Sequence, residues 1–254
     1  MSVDVSVKDG IAEVTLNHPP VNALDSAGWA ELARTFQELG RDEAVRVVVL
    51  AAEGRGFCAG VDIKELAADA SRITAVNRAC REAFGAVHDC PVPVIAAAHG
   101  FVLGGGIGLV GSCDVIYAAD DARFGLPEID RGALGAASHL LRMFPMQKVR
   151  RMLYTGEPIA AAEAYRLGAL EAVVSRDELL PTARALAATI ASKSPRAVRL
   201  AKESLDGIEL LDVKRSYRFE QGFTLELYTS PDSQEARDAF VEKRGARFSD
   251  TKKD

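Results

Sequence analysis

Two glycine-flanked loops and one carboxylate make up the part of this sequence most suited to chemistry. Gly104-Gly105-Gly106 comes soon after the apolar run Pro93 to Ala98, and Phe57-Cys58-Ala59-Gly60-Val61-Asp62 comes soon after Val45 to Ala51. Glycine has no Cβ, so consecutive glycines let a ligand approach the main chain and leave N–H groups accessible to it. The N–H groups at a helix start lack intrahelical acceptors and are natural donors to an oxyanion. Glu128 follows on a proline turn, Phe124-Gly125-Leu126-Pro127-Glu128. Two such loops at the ends of neighbouring strands can converge on one oxygen, or they can be unrelated tight turns; spacing leaves both open. Convergence would give donors for a developing negative charge beside one acid/base group, which suits an enolate or alkoxide.

Other motifs carry less. Gly106-Ile107-Gly108-Leu109-Val110-Gly111 matches GxGxxG, a dinucleotide fingerprint when it opens a long crossover helix. The helix available before Cys113 is too short, and Asp120 comes too soon after Gly111 to be the ribose-binding acid. The four cysteines, Cys58, Cys80, Cys90 and Cys113, form no CxxC pair and no metal spacing, and read as reduced, buried thiols in a cytosolic protein. Cys58 differs from the other three in that glycines flank its loop. His139 can assist a base or orient water, against a capping or core role that weighs more heavily. Arg131 can pair with Glu128 or a carbonyl, or remain solvated. Asp62 can act as a second acid, but fits a helix cap better. His99 reads as structural.

The elements that must position these groups follow the hydrophobic periodicity. Val3 to Val7 and Ile11 to Leu16 form a hairpin around Asp9-Gly10, and Ser26 can cap a helix carrying Trp29, Leu32, Phe36 and Leu39. Val45 to Ala51 is a β-branched run suited to a strand buried on both faces. Strands then alternate with helices as far as Glu128, which argues for an α/β layered sheet. From Asp177 onward the chain reads as helix: 178–192, 195–205, 213–228 and 231–242. This helical region can close a pocket or join subunits. At 254 residues, 48% hydrophobic and 26% charged, the chain can bury a full core. A net charge of −5 offers no basic footprint for nucleic acid. No run reaches membrane-spanning length and no signal peptide is visible, so the expected location is the cytoplasm.

Three segments in order, FCAGVDIKEL, PVIAAAHGFVLGGGIGLVGSCDVIYAADDARFGLPE and LYTGEPIAAAEAYRLGALEAVV, resemble the crotonase (enoyl-CoA hydratase/isomerase) superfamily. The resemblance implies an α/β fold with a ββα-spiral core over residues 1–192, a helical trimerisation region over 193–254, and a homotrimer or homohexamer. It implies an acyl-CoA thioester substrate, with coenzyme A as part of that substrate and no other cofactor or metal. Val61 and Gly105 would supply the oxyanion N–H groups, Glu128 the acid/base, and Ala59, Asp62 and Ile63 the segment that wraps the coenzyme.

The departures matter as much as the match. Hydratases of the superfamily carry a second glutamate where this chain has Gly108, and the dehalogenases' nucleophilic aspartate falls at Ala136. A single carboxylate suffices for a double-bond isomerase. The segments GFCAGVDIKE, FGLPE with RGALGA, and SYRFEQGFTLEL with RDAFV are similar to a branch containing the ring-opening hydrolases of steroid CD-ring degradation. That resemblance implies hydrolysis of a C–C bond in a cyclic, ketone-bearing CoA thioester. It also makes Tyr217, Glu220 and Gln221 pocket candidates, from this chain or a neighbouring subunit. The alternatives are an enoyl-CoA hydratase or isomerase, and a non-catalytic acyl-CoA-binding or RNA-binding homologue. Net charge disfavours RNA.

Overall fold

The computed structural model describes residues 3–208 and 213–246. The chain opens with the antiparallel hairpin β1 (Val3–Lys8) and β2 (Ile11–Leu16), turned at Asp9 and Gly10, both at positive φ. A two-residue strand, β3 (Ala23–Leu24), precedes helix α1 (Ser26–Arg41). Asp25 caps that helix, its carboxylate accepting from Gly28 N at 2.8 Å. Ser26, expected as the cap, lies inside the first turn, where its N–H and hydroxyl both donate to Glu65. Asp and Ser cap comparably well, and the cap falls on Asp25 while the Ser26 hydroxyl is taken up by Glu65.

Strand β4 (Val47–Ala52) and the short β5 (Gly60–Val61) follow, then α2 (Ile63–Ala68) and α3 (Ile73–His88). The central part comprises β6 (Val94–Ala98), β7 (Phe101–Leu103), α4 (Gly105–Val110), β8 (Val115–Ala119) and β9 (Arg123–Gly125). A 3₁₀ turn (Pro127–Arg131) carries Glu128, and α5 (Ala137–Met143) and α6 (Met146–Thr155) come next. Strand β10 (Ile159–Ala160), α7 (Ala161–Arg166) and β11 (Ala172–Val174) lead to α8 (Arg176–Ala191), α9 (Pro195–Ile208), α10 (Val213–Tyr228) and α11 (Pro231–Glu242).

The main sheet has the order β1-β2-β4-β6-β8-β11, parallel except for the opening hairpin. Alternation along β4 sends Val48 and Leu50 into the cluster with α1 and α3, and Val47 and Val49 into one with α8. Burial on both faces explains the unbroken apolar run that signals this strand. A second sheet, β10-β9-β7, and the pair β3-β5 stand apart from the first. Their strands are two or three residues long, too short for a period-2 pattern to show. Among the described residues no helix is long and apolar enough to cross a membrane.

Leu50 is fully buried between β2, β6 and the helical layer. Leu50→Ala is therefore expected to cost about 2–5 kcal/mol, read as a lower urea midpoint at unchanged slope. A loss under about 1 kcal/mol would contradict this placement of the core.

Candidate active site

The two glycine loops do meet. The first is stitched to β7 and the turn before it by Phe57 N→His99 O (2.9 Å), Cys58 N→Phe101 O (3.2 Å) and Leu103 N→Cys58 O (2.9 Å). Asn22, buried and at positive φ, donates from one amide nitrogen to the Glu53, Gly56 and Phe57 carbonyls. Its part was not legible in the sequence, where it stands in an ordinary polar turn. Gly60 has φ +94°, and a Cβ on it would lie 3.0 Å from Gly105 N and 3.2 Å from Leu103 O. The main chains of the two loops are thus in contact.

Val61 and Gly105 both line one cavity, and Asp62 N donates to Leu24 O (2.9 Å). Gly105 is the first residue of α4, and its N–H is among those with no intrahelical acceptor. Gly104, at φ +54°, caps α4 and donates to Gly125 O (3.1 Å). A Cβ on Gly104 would lie 2.3 Å from Glu128 Oε1. Glycine at 104 therefore makes room for the carboxyl of Glu128 directly beside the helix start.

A cavity of about 330 Å³ is lined by Ala59, Val61, Asp62 and Ile63 from the first loop, and by Gly105, Glu128 and Arg131. Helix α3 contributes Ile73, Val76, Asn77, Cys80 and Phe84, a set at helical spacing on one face. The last two described helices contribute Tyr217, Thr224 and Tyr228, then Arg237 and Phe240. These residues come from segments whose relation to the glycine loops is set only by tertiary packing. Tyr217 lines the cavity from the same chain, Gln221 donates to Asn77 O, and the side chain of Glu220 lies outside the described residues.

Some expectations change. His139 is fully buried behind Phe84 and Tyr217, with ring centroids 5.0 and 5.1 Å away in edge-on contacts. It does not line the cavity, and neither ring nitrogen has a hydrogen-bond partner among the described residues. Burial lowers its pKa to about 3, leaving a neutral imidazole with no route to substrate. The auxiliary role expected for it fails on burial. Arg131 donates to Pro127 O (3.1 Å), with its guanidinium 4.7 Å from the Phe240 ring centroid. Asp62 caps α2, accepting from Lys64 N at 3.0 Å. Cys58 Sγ donates to Asn22 O, and burial pushes its thiol up to about 12. The other three cysteines are buried and raised as well, so none is a nucleophile at neutral pH. In the GxGxxG match, Cβ atoms on Gly106 and Gly108 would meet Cys58 O at 2.7 Å and the Phe84 ring at 2.3 Å. Those glycines serve packing, not a phosphate cradle. Among the described residues no group of three or more potential metal ligands occurs.

The Phe84 contact bears directly on the missing glutamate. Phe84 is 2% exposed and is held edge-on by Trp29, His139 and Tyr217. It occupies the space into which a side chain at position 108 would point. Ala136, where a nucleophilic aspartate would stand, also lines the cavity, at φ +56°.

The sequence pattern of the family described as enoyl-CoA hydratase/isomerase matches residues 6–252. The chain belongs to the enoyl-CoA hydratase/isomerase family. Among its relatives in that family is a (7aS)-7a-methyl-1,5-dioxo-2,3,5,6,7,7a-hexahydro-1H-indene-carboxyl-CoA hydrolase from Rhodococcus jostii. It is 53% identical over 236 residues, covering 92% of each chain. The Mycobacterium tuberculosis protein of the same name is 50% identical, covering 92% of this chain and 96% of its own. A crystal structure of an enoyl-CoA hydratase from Mycobacterium avium subsp. paratuberculosis superposes with TM-score 0.87 at 26% identity. That match covers 98% of this chain and 99% of the other. The crotonase fold expected from the motifs is thereby established for this member of the family.

A histidine held neutral in the fold must take up a proton on unfolding in acid. His139 titrates near 6.5 when unfolded and near 3 when folded, so its contribution is present above pH 6.5 and is lost as pH falls toward 3. His99, lowered to about 4 chiefly by burial and secondarily by Arg176, adds to the same limb. His139→Phe is expected to flatten, without abolishing, the fall in urea-derived stability between pH 6.5 and 4. An unchanged slope would contradict the neutral, enclosed ring.

Proposed function

We propose that this chain hydrolyses a C–C bond in a cyclic, ketone-bearing CoA thioester of the hexahydroindene-dione type. The observation that carries the reading is the pairing of a single acid/base carboxylate with a filled hydratase position. Among the described residues, Asp62 and Glu128 are the carboxylates lining the cavity, and Asp62 is engaged as a helix cap. Phe84 stands where a second glutamate would have to project from position 108. Syn-hydration of a double bond needs a base for water and an acid for carbon, and losing one such group costs about 10²–10⁴-fold. The names of the two hydrolase relatives, at 53% and 50% identity, point the same way.

In this reading the thioester oxygen is held by the N–H groups of Val61 and Gly105, and Ala59, Asp62 and Ile63 wrap the coenzyme portion of the substrate. Glu128 takes a proton from water as the water oxygen adds to a ring ketone. The tetrahedral oxyanion collapses, the ring C–C bond breaks, and its electron pair passes to the carbon conjugated with the thioester. Preorganised N–H donors stabilise the resulting enolate. Glu128 then returns its proton to carbon, so one carboxylate completes the cycle. No redox cofactor or metal enters this balance; coenzyme A arrives as part of the substrate. Assembly into a homotrimer or homohexamer in the cytoplasm belongs to the same proposal, by analogy with the family.

The test is turnover of the bicyclic indene-dione carboxyl-CoA and of crotonyl-CoA by the wild type and two variants. Ring opening by the wild type is expected to fall about 10²–10⁴-fold in Glu128→Gln, with thermal melting unchanged. Gly108→Glu is expected to confer no hydration, because the new side chain meets the Phe84 ring. Rapid hydration of crotonyl-CoA by the wild type without ring opening would overturn the proposal in favour of a hydratase. Activity indifferent to Glu128→Gln would remove that residue from the chemistry.

A further inference from the structure

Hydrolysis of a ring ketone develops negative charge on two different oxygens in succession. The first lies on the attacked carbonyl, and the second on the thioester once the C–C bond has broken. One oxyanion site cannot hold both, so a chain that performs this reaction needs a second set of donors. The cavity has such a set at the end formed by α10, α11 and the turn that bears Glu128.

Arg237 is 6% exposed and lines the cavity. Its guanidinium lies 3.9 Å from the Tyr228 ring centroid and donates to Tyr228 O (3.4 Å), Ser233 Oγ and Gln234 Oε1 (2.6 Å). All three acceptors are neutral, and no carboxylate meets Arg237 among the described residues. A buried guanidinium keeps its charge, so an uncompensated one favours an anionic guest. The Tyr228 hydroxyl, in a residue 5% exposed on the same cavity wall, is buried without a hydrogen-bond partner among the described residues. Arg131 Nε, three residues from Glu128, is likewise buried and unpartnered. Ser233 Oγ donates to Gly132 O, and a Cβ on Gly132 would lie 2.4 Å from Ser233 Cα. The helix carrying Arg237 is therefore seated directly on the turn carrying Glu128.

We infer that Arg237 and Tyr228, with Arg131 beside them, bind the ring carbonyl that water attacks and then the carboxylate it becomes. The inference rests on the ring-opening reading. Water's oxygen ends in that carboxylate, and the proton of the product acid passes to solvent. A neutral alkyl chain in the same place would leave these donors unsatisfied, so this end of the cavity selects oxygenated acyl groups.

The test compares two ring-opened thioesters by calorimetric titration. One is a 6-oxocyclohexene-carboxyl-CoA bearing a carboxyethyl chain, and the other is the same thioester with a propyl chain. The wild type is expected to bind the carboxylate-bearing compound about 10–100-fold more tightly, as a charge-assisted hydrogen bond allows. Arg237→Gln should remove that preference and leave propyl-thioester affinity within about twofold, and Arg237→Lys should restore part of it. Tyr228→Phe, which keeps the ring under the guanidinium, should lower the preference severalfold and serves if Arg237→Gln does not fold. Turnover of the dione thioester is measured alongside, and should fall about 10–100-fold in Arg237→Gln. Turnover by the wild type with carboxylate preference and rate unchanged in Arg237→Gln would overturn this inference alone. No turnover by the wild type would overturn the ring-opening reading on which it rests.

Discussion

The main chains of Gly60 and of Gly104-Gly105 lie against each other closely enough that a Cβ on Gly60 would sit 3.0 Å from Gly105 N. Backbone contact of this kind is available only where glycine stands, and most of the surrounding structure secures it. Hydrogen bonds from Phe57, Cys58 and Leu103 join the first loop to β7 and the turn before it. Asn22 gathers the carbonyls before it, and the pairing of β7 with β9 brings the Pro127 turn alongside α4. The Glu128 carboxyl then fills the space above Gly104 that a side chain there would deny it. The two glycine loops and the Glu128 carboxyl therefore depend on one constraint, and neither can be moved independently of the other.

Around this contact the cavity is lined largely by apolar groups. Apolar walls raise the value of each preorganised donor because water cannot screen it. Phe84 and Tyr217 line the cavity, and Trp29 and His139 pack edge-on behind them in one aromatic cluster. It converts the position of a hydratase glutamate into packed volume. With the Phe84 ring packed against position 108, a side chain there would have no space.

The parts of this arrangement that were legible in the sequence are those with local signals. Glycine triplets, a proline turn ending in glutamate and β-branched runs all announce themselves within a few residues. The corresponding strands, loops and Glu128 lie where those signals placed them, although Asp25 replaces Ser26 as the cap of α1. Strands of two or three residues such as β3, β5 and β7 have no period to detect. Phe84 and Tyr228 read as ordinary helix residues, and Arg237 as one charge among many. Their significance comes from helices folding over a cavity from far along the chain. His139 failed as a functional candidate for the same reason in reverse, since its type suggested chemistry and only its burial shows otherwise.

In the proposed mechanism water is delivered to a ring ketone, and not to a double bond or to the thioester itself. Mass spectrometry of the product formed by the wild type in heavy-oxygen water tests this step without intermediary. Hydrolytic ring opening predicts one heavy oxygen in a newly formed carboxylate, an unlabelled thioester carbonyl and coenzyme A still attached. Label in a hydroxyacyl-CoA, or in a free acid released together with coenzyme A, would contradict it.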